Sequence, residues 1–205
     1  MADSNKPKTV LFLGSSVTYG SSSGGWSMCE YVAENSSYEV IKLAVSGTTL
    51  ADINEGSYLN RLRESLHELP RIDHLIVQLS TNDPYFGVET GEVTDSTDPM
   101  DQDPRTSVGA MEHIIRIARE DLGCPITFYI GAYFDRSDYA VLVDALMRLQ
   151  LKHGFDIIDL YHDKAFNDVS PEDYALYMTD PVHPTRLGYE KWWGPKFLEY
   201  LERVL

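Results

Sequence analysis

Near its N-terminus the chain reads Thr9-Val10-Leu11-Phe12-Leu13, followed directly by Gly14-Ser15-Ser16. The apolar run has the length and composition of a buried strand, and the small polar residues after it predict a tight turn. Such a turn lifts the next side chain out of the sheet. The hydroxyl of Ser16 is therefore predicted to lie where a nucleophile can reach a substrate.

Four further apolar runs of strand length follow, at residues 38–43, 75–79, 126–130 and 155–160. Helical patterns separate them, and another closes the chain at residues 193–204. Strands that are apolar throughout are typical of parallel sheets buried on both faces. The alternation predicts one α/β domain over residues 1–205, with three layers and a doubly wound, five-stranded parallel sheet.

Polar residues follow several of these predicted strands. Ser16 comes after the first strand, Gly47 after the second and Asn82 after the third, and a turn with Asp180 and His183 comes after the fifth. In open α/β sheets the carboxyl ends of the strands meet at one edge, where ligands bind. We therefore expect these separated segments to form one site.

These residue types suit acyl transfer. Histidine titrates near neutral pH, so His183 can take the proton of Ser16 and pass it to a leaving group. Asp180 would hold the tautomer of that histidine. The amides of Ser16 and Gly47 and the side chain of Asn82 would stabilise an oxyanion, and glycine allows close approach because it has no Cβ.

The segments resemble the sequence blocks of the SGNH (GDSL-like) hydrolase superfamily. Its first block, Gly-Asp-Ser-x-x-x-x-Gly, compares with Gly14-Ser15-Ser16-Val17-Thr18-Tyr19-Gly20, and the later blocks compare with Gly47, with Ser80-Thr81-Asn82-Asp83 and with Asp180-Pro181-Val182-His183. The resemblance covers nearly the whole chain. It implies a flavodoxin-like SGNH fold, the triad Ser16, His183 and Asp180, and an oxyanion hole from Ser16, Gly47 and Asn82.

Two positions depart from that pattern. Ser15 stands where the family usually has aspartate, and Ser80 stands where the third block usually begins with glycine. The usual aspartate is not part of the triad, so Ser15 bears on the support of the turn more than on the chemistry. Ser80 bears on the path of the loop before Asn82.

Other motifs are weaker. Ser22 lies in a Gly-x-Ser-x-Gly match, but that nucleophile motif needs a strand directly before it, so Ser16 is favoured. The acidic segment 101–112 has the length of a calcium loop, yet Arg105 and Thr106 occupy the positions for a ligand and the required glycine. We predict no metal and no cofactor, since nucleotide-binding fingerprints are also missing from the sequence after the first strand.

Charge and composition limit the partners. A net charge of -15 argues against nucleic acid, because phosphate binding relies on lysine and arginine. No apolar stretch is long enough for a membrane span, and the polar residues 1–8 predict a flexible N-terminus without a signal peptide. We expect a cytoplasmic protein with Cys29 and Cys124 reduced. The oligomeric state stays open.

The acidic segment 84–106 is long for a loop in a compact domain. It leaves the third strand at the expected active edge, so it either covers substrate or is disordered.

The sequence thus favours a serine esterase acting on a small-molecule carboxylic ester with a short acyl group, for example an O-acetyl group on a carbohydrate. The alternatives are a lysophospholipase or thioesterase of the same superfamily, or a non-catalytic flavodoxin-like binding module.

Overall fold

A computed structural model of the protein describes residues 6–96 and 98–205. The strands are β1 Thr9–Gly14, β2 Glu39–Ala44, β3 His74–Gln78, β4 Ile126–Ile130 and β5 Asp156–Asp159. They form one parallel five-stranded sheet in the order β2-β1-β3-β4-β5, which confirms the predicted α/β fold. This strand order is the flavodoxin-like one. Of the expected flexible segment 1–8, residues 1–5 lie outside the described part of the chain.

The helices are α1 Ser16–Tyr19, α2 Met28–Asn35, α3 Tyr58–Ser65, α4 Asn82–Tyr85, α5 Ser107–Arg116, α6 Ser137–His153, α7 Lys164–Asn167, α8 Pro171–Tyr177, α9 Arg186–Gly188 and α10 Gly194–Val204. A π-helical turn at Ile117–Asp121 extends α5, and another at Tyr189–Trp193 joins α9 to α10. The helical patterns of the sequence correspond to α2, α3, α5, α6 and α10. Helix α8 has no buried residue, so it carries no apolar stripe by which the sequence could predict it.

The two faces of the sheet build two layers of core. Alternating side chains of a strand point to opposite faces. Leu11 and Leu13 therefore pack with α3, α5 and α6, while Val10 and Phe12 pack with α2 and α10. Within residues 6–96 and 98–205, no helix is long and apolar enough to cross a membrane.

The segment between α4 and α5 is anchored at its middle to the neighbouring helices. Arg148 donates to the carbonyl of Val93 over 3.4 Å, and Lys152 donates to the carbonyl of Ser96. Lys152 also pairs with the buried carboxylate of Glu112 at 2.6 Å. These arginine and lysine side chains belong to the C-terminal half of α6, which leads to the amino end of β5. The middle of the segment therefore does not cover the carboxyl ends of the strands.

A buried hydrogen-bonded chain lies at the opposite, amino-terminal edge of the sheet. Nε2 of His74 lies 2.8 Å from Oγ1 of Thr127, which lies 2.6 Å from the hydroxyl of Tyr200. Tyr200 donates to the carboxylate of Asp156 over 3.0 Å. A carboxylate only accepts, so the donors run in one direction, from His74 to Asp156. Burial lowers the pKa of His74 to about 4, so its ring is neutral at pH 7.

This buried histidine links stability to pH. An unfolded histidine has a pKa of about 6.5, so between that value and about 4 the unfolded chain binds a proton that the folded chain does not. Stability is therefore lost as the pH falls through this window, by at most about 1.4 kcal/mol per pH unit from this group.

We expect His74→Gln to flatten the dependence of the unfolding free energy on pH relative to the wild type. Urea unfolding at a series of pH values between neutrality and the acid limit measures this slope. His67→Gln is the matched control, because the side chain of His67 is 77% exposed. Equal slopes for His74→Gln and the wild type would contradict the assignment.

Candidate active site

The turn that carries Ser16 is fixed by the buried side-chain amide of Gln78 on β3, a strand that pairs with β1. Oε1 of Gln78 accepts hydrogen bonds from the backbone N–H of Ser15 over 2.9 Å and from Oγ1 of Thr18 over 2.8 Å. Ser16 begins α1, and the helix ends after one turn at Gly20 with φ of +85°. Ser16, two residues after the end of β1, thus lies at the carboxyl edge of the sheet.

Three predicted residues form one hydrogen-bonded chain. Oγ of Ser16 lies 2.8 Å from Nε2 of His183, and Nδ1 of that histidine lies 2.8 Å from Oδ2 of Asp180. This is the order of contacts expected for nucleophile, base and orienting carboxylate. The side chain of His183 is 27% exposed, so a bound ester or water can reach the ring.

The carboxylate of Asp180 is held by its own turn. Oδ1 accepts from the backbone N–H of Val182 over 2.8 Å and from that of His183 over 2.9 Å. Burial alone would raise the pKa of Asp180, but these amides and the imidazole together lower it. Asp180 is therefore ionised at neutral pH and available to orient the histidine.

The histidine turn is closed by a bridge of its own and is bonded to the helix that carries Ser16. Met178 and Pro184 form an antiparallel bridge across the turn, which closes it as a small hairpin. Downstream, the hydroxyl of Tyr189 donates to the carbonyl of Val17 over 2.6 Å inside the protein. The segment that carries His183 is thus bonded directly to the helix that carries Ser16.

Gly47 lies in the exposed loop after β2 with φ of +79°. Residues other than glycine rarely adopt a positive φ of this size, which explains why glycine stands here. Apart from its chain neighbours, a Cβ at this position would meet no atom of the described residues within 4 Å, so packing does not demand the glycine. Close approach of a substrate oxygen, the reason inferred from sequence, stays a prediction.

Asn82 is bonded to the same loop. Nδ2 donates to the carbonyl of Thr48 over 2.8 Å, which uses one of its two hydrogens and leaves the other for a ligand. Because Thr48 follows Gly47 in the chain, the asparagine side chain and the glycine amide are held next to each other. The structure thus brings all five predicted residues to one edge of the sheet.

Asp83 holds the loop after β2 through hydrogen bonds to its backbone, a role that the sequence motif alone does not reveal. Its buried carboxylate accepts from the N–H of Leu50 over 2.8 Å, from the N–H of Ala51 over 3.1 Å and from Oγ of Ser107 over 2.8 Å. Burial raises the pKa of Asp83, and these hydrogen bonds oppose the rise. A carboxylate on α4, the helix after β3, thereby holds the loop after β2.

The two departures from the family pattern have different surroundings. Oγ of Ser80 accepts from the N–H of Asn82 over 3.1 Å and from that of Asp83 over 3.3 Å, which are the first two N–H groups of α4. Ser15 is completely buried, and its hydroxyl has no hydrogen-bond partner among the described residues. Ser22, the competing serine, lies in an exposed 3-10 turn at Ser21–Ser23.

An α/β domain with a serine, a histidine and an aspartate in hydrogen-bond contact at the carboxyl edge of its sheet has the layout of a hydrolase. The model of the GDSL-like lipase/acylhydrolase family matches residues 12–191. The chain therefore belongs to this family and is a hydrolase that acts on esters. No curated protein matches the chain.

Solved structures share the fold over nearly the full length. A protein from Lactobacillus plantarum superposes with a TM-score of 0.77 at 18% identity, covering 98% of this chain and 99% of that one. The M. smegmatis aryl esterase superposes with a TM-score of 0.68 at 15% identity, covering 97% of this chain and 100% of that one. At these identities the likeness establishes the fold alone.

We expect Asn82→Ala to lower kcat by about two to three orders of magnitude, because one donor to the oxyanion is removed. Steady-state kinetics with p-nitrophenyl acetate measures the effect. Asn60→Ala is the matched control, since the amide of Asn60 bonds only exposed groups of its own helix and loop. An unchanged kcat in folded Asn82→Ala would remove this residue from the site.

Proposed function

We propose that the protein is a serine esterase that hydrolyses carboxylic esters through an acyl-enzyme. The observation that carries the proposal is the 2.8 Å contact between Oγ of Ser16 and Nε2 of His183, with Asp180 2.8 Å behind the ring. Ser16 attacks the ester carbonyl while His183 accepts its proton. The imidazolium then protonates the departing alcohol, and Asp180 stabilises its charge.

The second half of the reaction uses the same groups. Water loses a proton to His183 and attacks the acyl carbon, and Ser16 leaves with the proton that the ring returns. In both halves negative charge develops on the former carbonyl oxygen. The amides of Ser16 and Gly47 and the free N–H of Asn82 are the donors that we assign to that oxygen.

A small apolar cavity supports a short acyl group. The five site residues do not line it themselves; its lining includes their chain neighbours Val17, Thr81 and Val182, together with Ala132, Phe134 and Trp193. The volume is about 10 Å³, which is close to the minimum that holds one water molecule. A methyl group is of similar size, so we assign the cavity to the acyl end of an acetyl ester.

Exposed aromatic rings lie close in sequence to the same site. Tyr85 and Phe86 follow Asn82 and are 67% and 55% exposed, and Tyr133 lies between two cavity residues and is 51% exposed. Exposed rings offer flat apolar surface to a sugar or aryl group. They favour a carbohydrate or aryl alcohol in the ester, and the aryl esterase among the structural relatives gives a reason to include aryl esters in the assays.

The other candidate functions have less support. A lysophospholipid carries a long acyl chain, for which the cavity has no room. A short thioester would use the same groups and belongs in the same assays. A non-catalytic module has no need for a serine in contact with an oriented histidine.

A serine-directed fluorophosphonate tests the nucleophile. We expect labelling of the wild type and of Ser22→Ala, and none of Ser16→Ala, because Ser16 is the one serine among residues 6–96 and 98–205 that contacts a histidine. Gel fluorescence and intact mass measure the labelling. Labelling of Ser16→Ala at the wild-type rate, or an unlabelled folded wild type, would contradict the proposed mechanism.

Acyl preference is tested with p-nitrophenyl acetate, butyrate and octanoate. We expect kcat/KM to fall at least about tenfold from acetate to butyrate, since the extra methylenes exceed the cavity. Phe134→Ala enlarges the cavity and should raise the butyrate-to-acetate ratio, whereas Tyr133→Ala, which does not line it, should not. A preference for octanoate in the wild type would contradict the assignment.

A further inference from the structure

Arg61 of α3 extends its guanidinium to the carboxyl end of β1. Nη2 donates to the carbonyl of Gly14 over 2.6 Å. Nη1 donates to Oγ1 of Thr48 over 3.0 Å and also to the carbonyl of Gly56. One planar group thus bonds three acceptors on two different loops.

The acceptors belong to the segments that carry the oxyanion donors. Gly14 is separated from Ser16 only by Ser15, and Thr48 directly follows Gly47. The carbonyl of Thr48 in turn accepts the side chain of Asn82 at 2.8 Å. Arg61 therefore bonds both segments that carry the amide donors, and Asn82 bonds the same residue, Thr48.

We propose that Arg61 is a positioning residue that sets the separation between the Ser16 amide and the Gly47 amide. The inference rests on the proposed esterase function. An oxyanion hole works because its donors are already in place when charge develops, so they cannot shift independently. The guanidinium bridges the β1 turn and the β2 loop beside the direct bond between them, in which the N–H of Val45 donates to the carbonyl of Gly14 over 3.3 Å.

Arginine suits this role better than lysine would. Its rigid fork offers several donors in fixed directions, whereas the lysine ammonium is a point charge on a flexible stem. Cζ lies 5.3 Å from the centre of the Tyr58 ring, within the range of a cation–π contact. A lysine at this position could reach one loop but would not fix both.

The surroundings separate positioning from simple stabilisation. All three acceptors are neutral oxygens, and Nε is buried with no hydrogen-bond partner among the described residues. A partly buried charge without a compensating carboxylate contributes little net stability, because desolvation opposes its hydrogen bonds. Removing the charge is therefore expected to affect catalysis more than folding.

The experiment compares Arg61→Met and Arg61→Lys with the wild type. Arg63→Met is the matched control, because Arg63 lies on the same helix and pairs with Asp52 at 2.9 Å. Three quantities are measured: kcat and KM for p-nitrophenyl acetate, the second-order rate of fluorophosphonate labelling, and the midpoint of urea unfolding.

We expect Arg61→Met to lower kcat and the labelling rate by about 10- to 100-fold, with KM changed by less than about threefold. Arg61→Lys should recover part of the rate, and Arg63→Met should match the wild type. Wild-type kcat and labelling in Arg61→Met would overturn the inference. If Arg61→Met does not fold, Arg61→Lys decides, and wild-type rates in that variant overturn the inference.

Two further outcomes are distinct. A folded wild type that is not labelled and does not hydrolyse the ester overturns the proposed function and this inference together. A labelled wild type, with equal losses of rate and stability in Arg61→Met and Arg63→Met, overturns only the positioning role.

Discussion

The pairing of β1 with a parallel strand on each side is the constraint on which the site depends. Gly14 at the end of β1 lies opposite Ala44 of β2, and Leu13 lies opposite Val77 of β3. Three strands therefore end at the same level, and the residues that follow them enter the same space. Ser16, Gly47 and Asn82 are neighbours because hydrogen bonds of the sheet align the strands that precede them.

Alignment of the strands does not by itself fix the loops that follow them. Buried polar side chains hold these loops by hydrogen bonds. The amide oxygen of Gln78 holds the turn at Ser16, and the carboxylate of Asp83 holds the loop after β2. A hydrogen bond to a neutral acceptor such as the Gln78 amide contributes about 0.5–1.5 kcal/mol and one to the Asp83 carboxylate about 1.5–3 kcal/mol, and a buried acceptor left without a donor costs about 1–3 kcal/mol. These groups therefore hold the loops in one arrangement, which a preorganised oxyanion site requires.

The histidine reaches the site from the other end of the chain. Its small hairpin is closed by the Met178–Pro184 bridge and is bonded to α1 through Tyr189. Tyr189 and Trp193 pack in the core between the sheet and α10. The position of His183 relative to Ser16 thus depends on burial of the C-terminal segment against the sheet.

Local patterns in the sequence were sufficient for the sheet, the main helices and the five residues at the carboxyl edge. Apolar runs predict buried strands, and residues after parallel strands meet at one edge whatever their distance in sequence. The sequence did not predict helix α8, because this helix has no buried residue and so no apolar stripe. The middle of the segment 84–106 is bonded to α6 by the long side chains of Arg148 and Lys152, and no local pattern predicts these contacts.

By itself the sequence determined the class of fold, the family resemblance and which serine, histidine and aspartate meet. Only the tertiary structure decided how they are held. Gln78 bonds the turn at Ser16, Asp83 bonds the loop after β2, and Arg61 bonds both segments. The physical reason is that periodicity and turn chemistry act over a few residues. The partners of a buried polar side chain depend on which loops the folded sheet brings within about 3 Å of it.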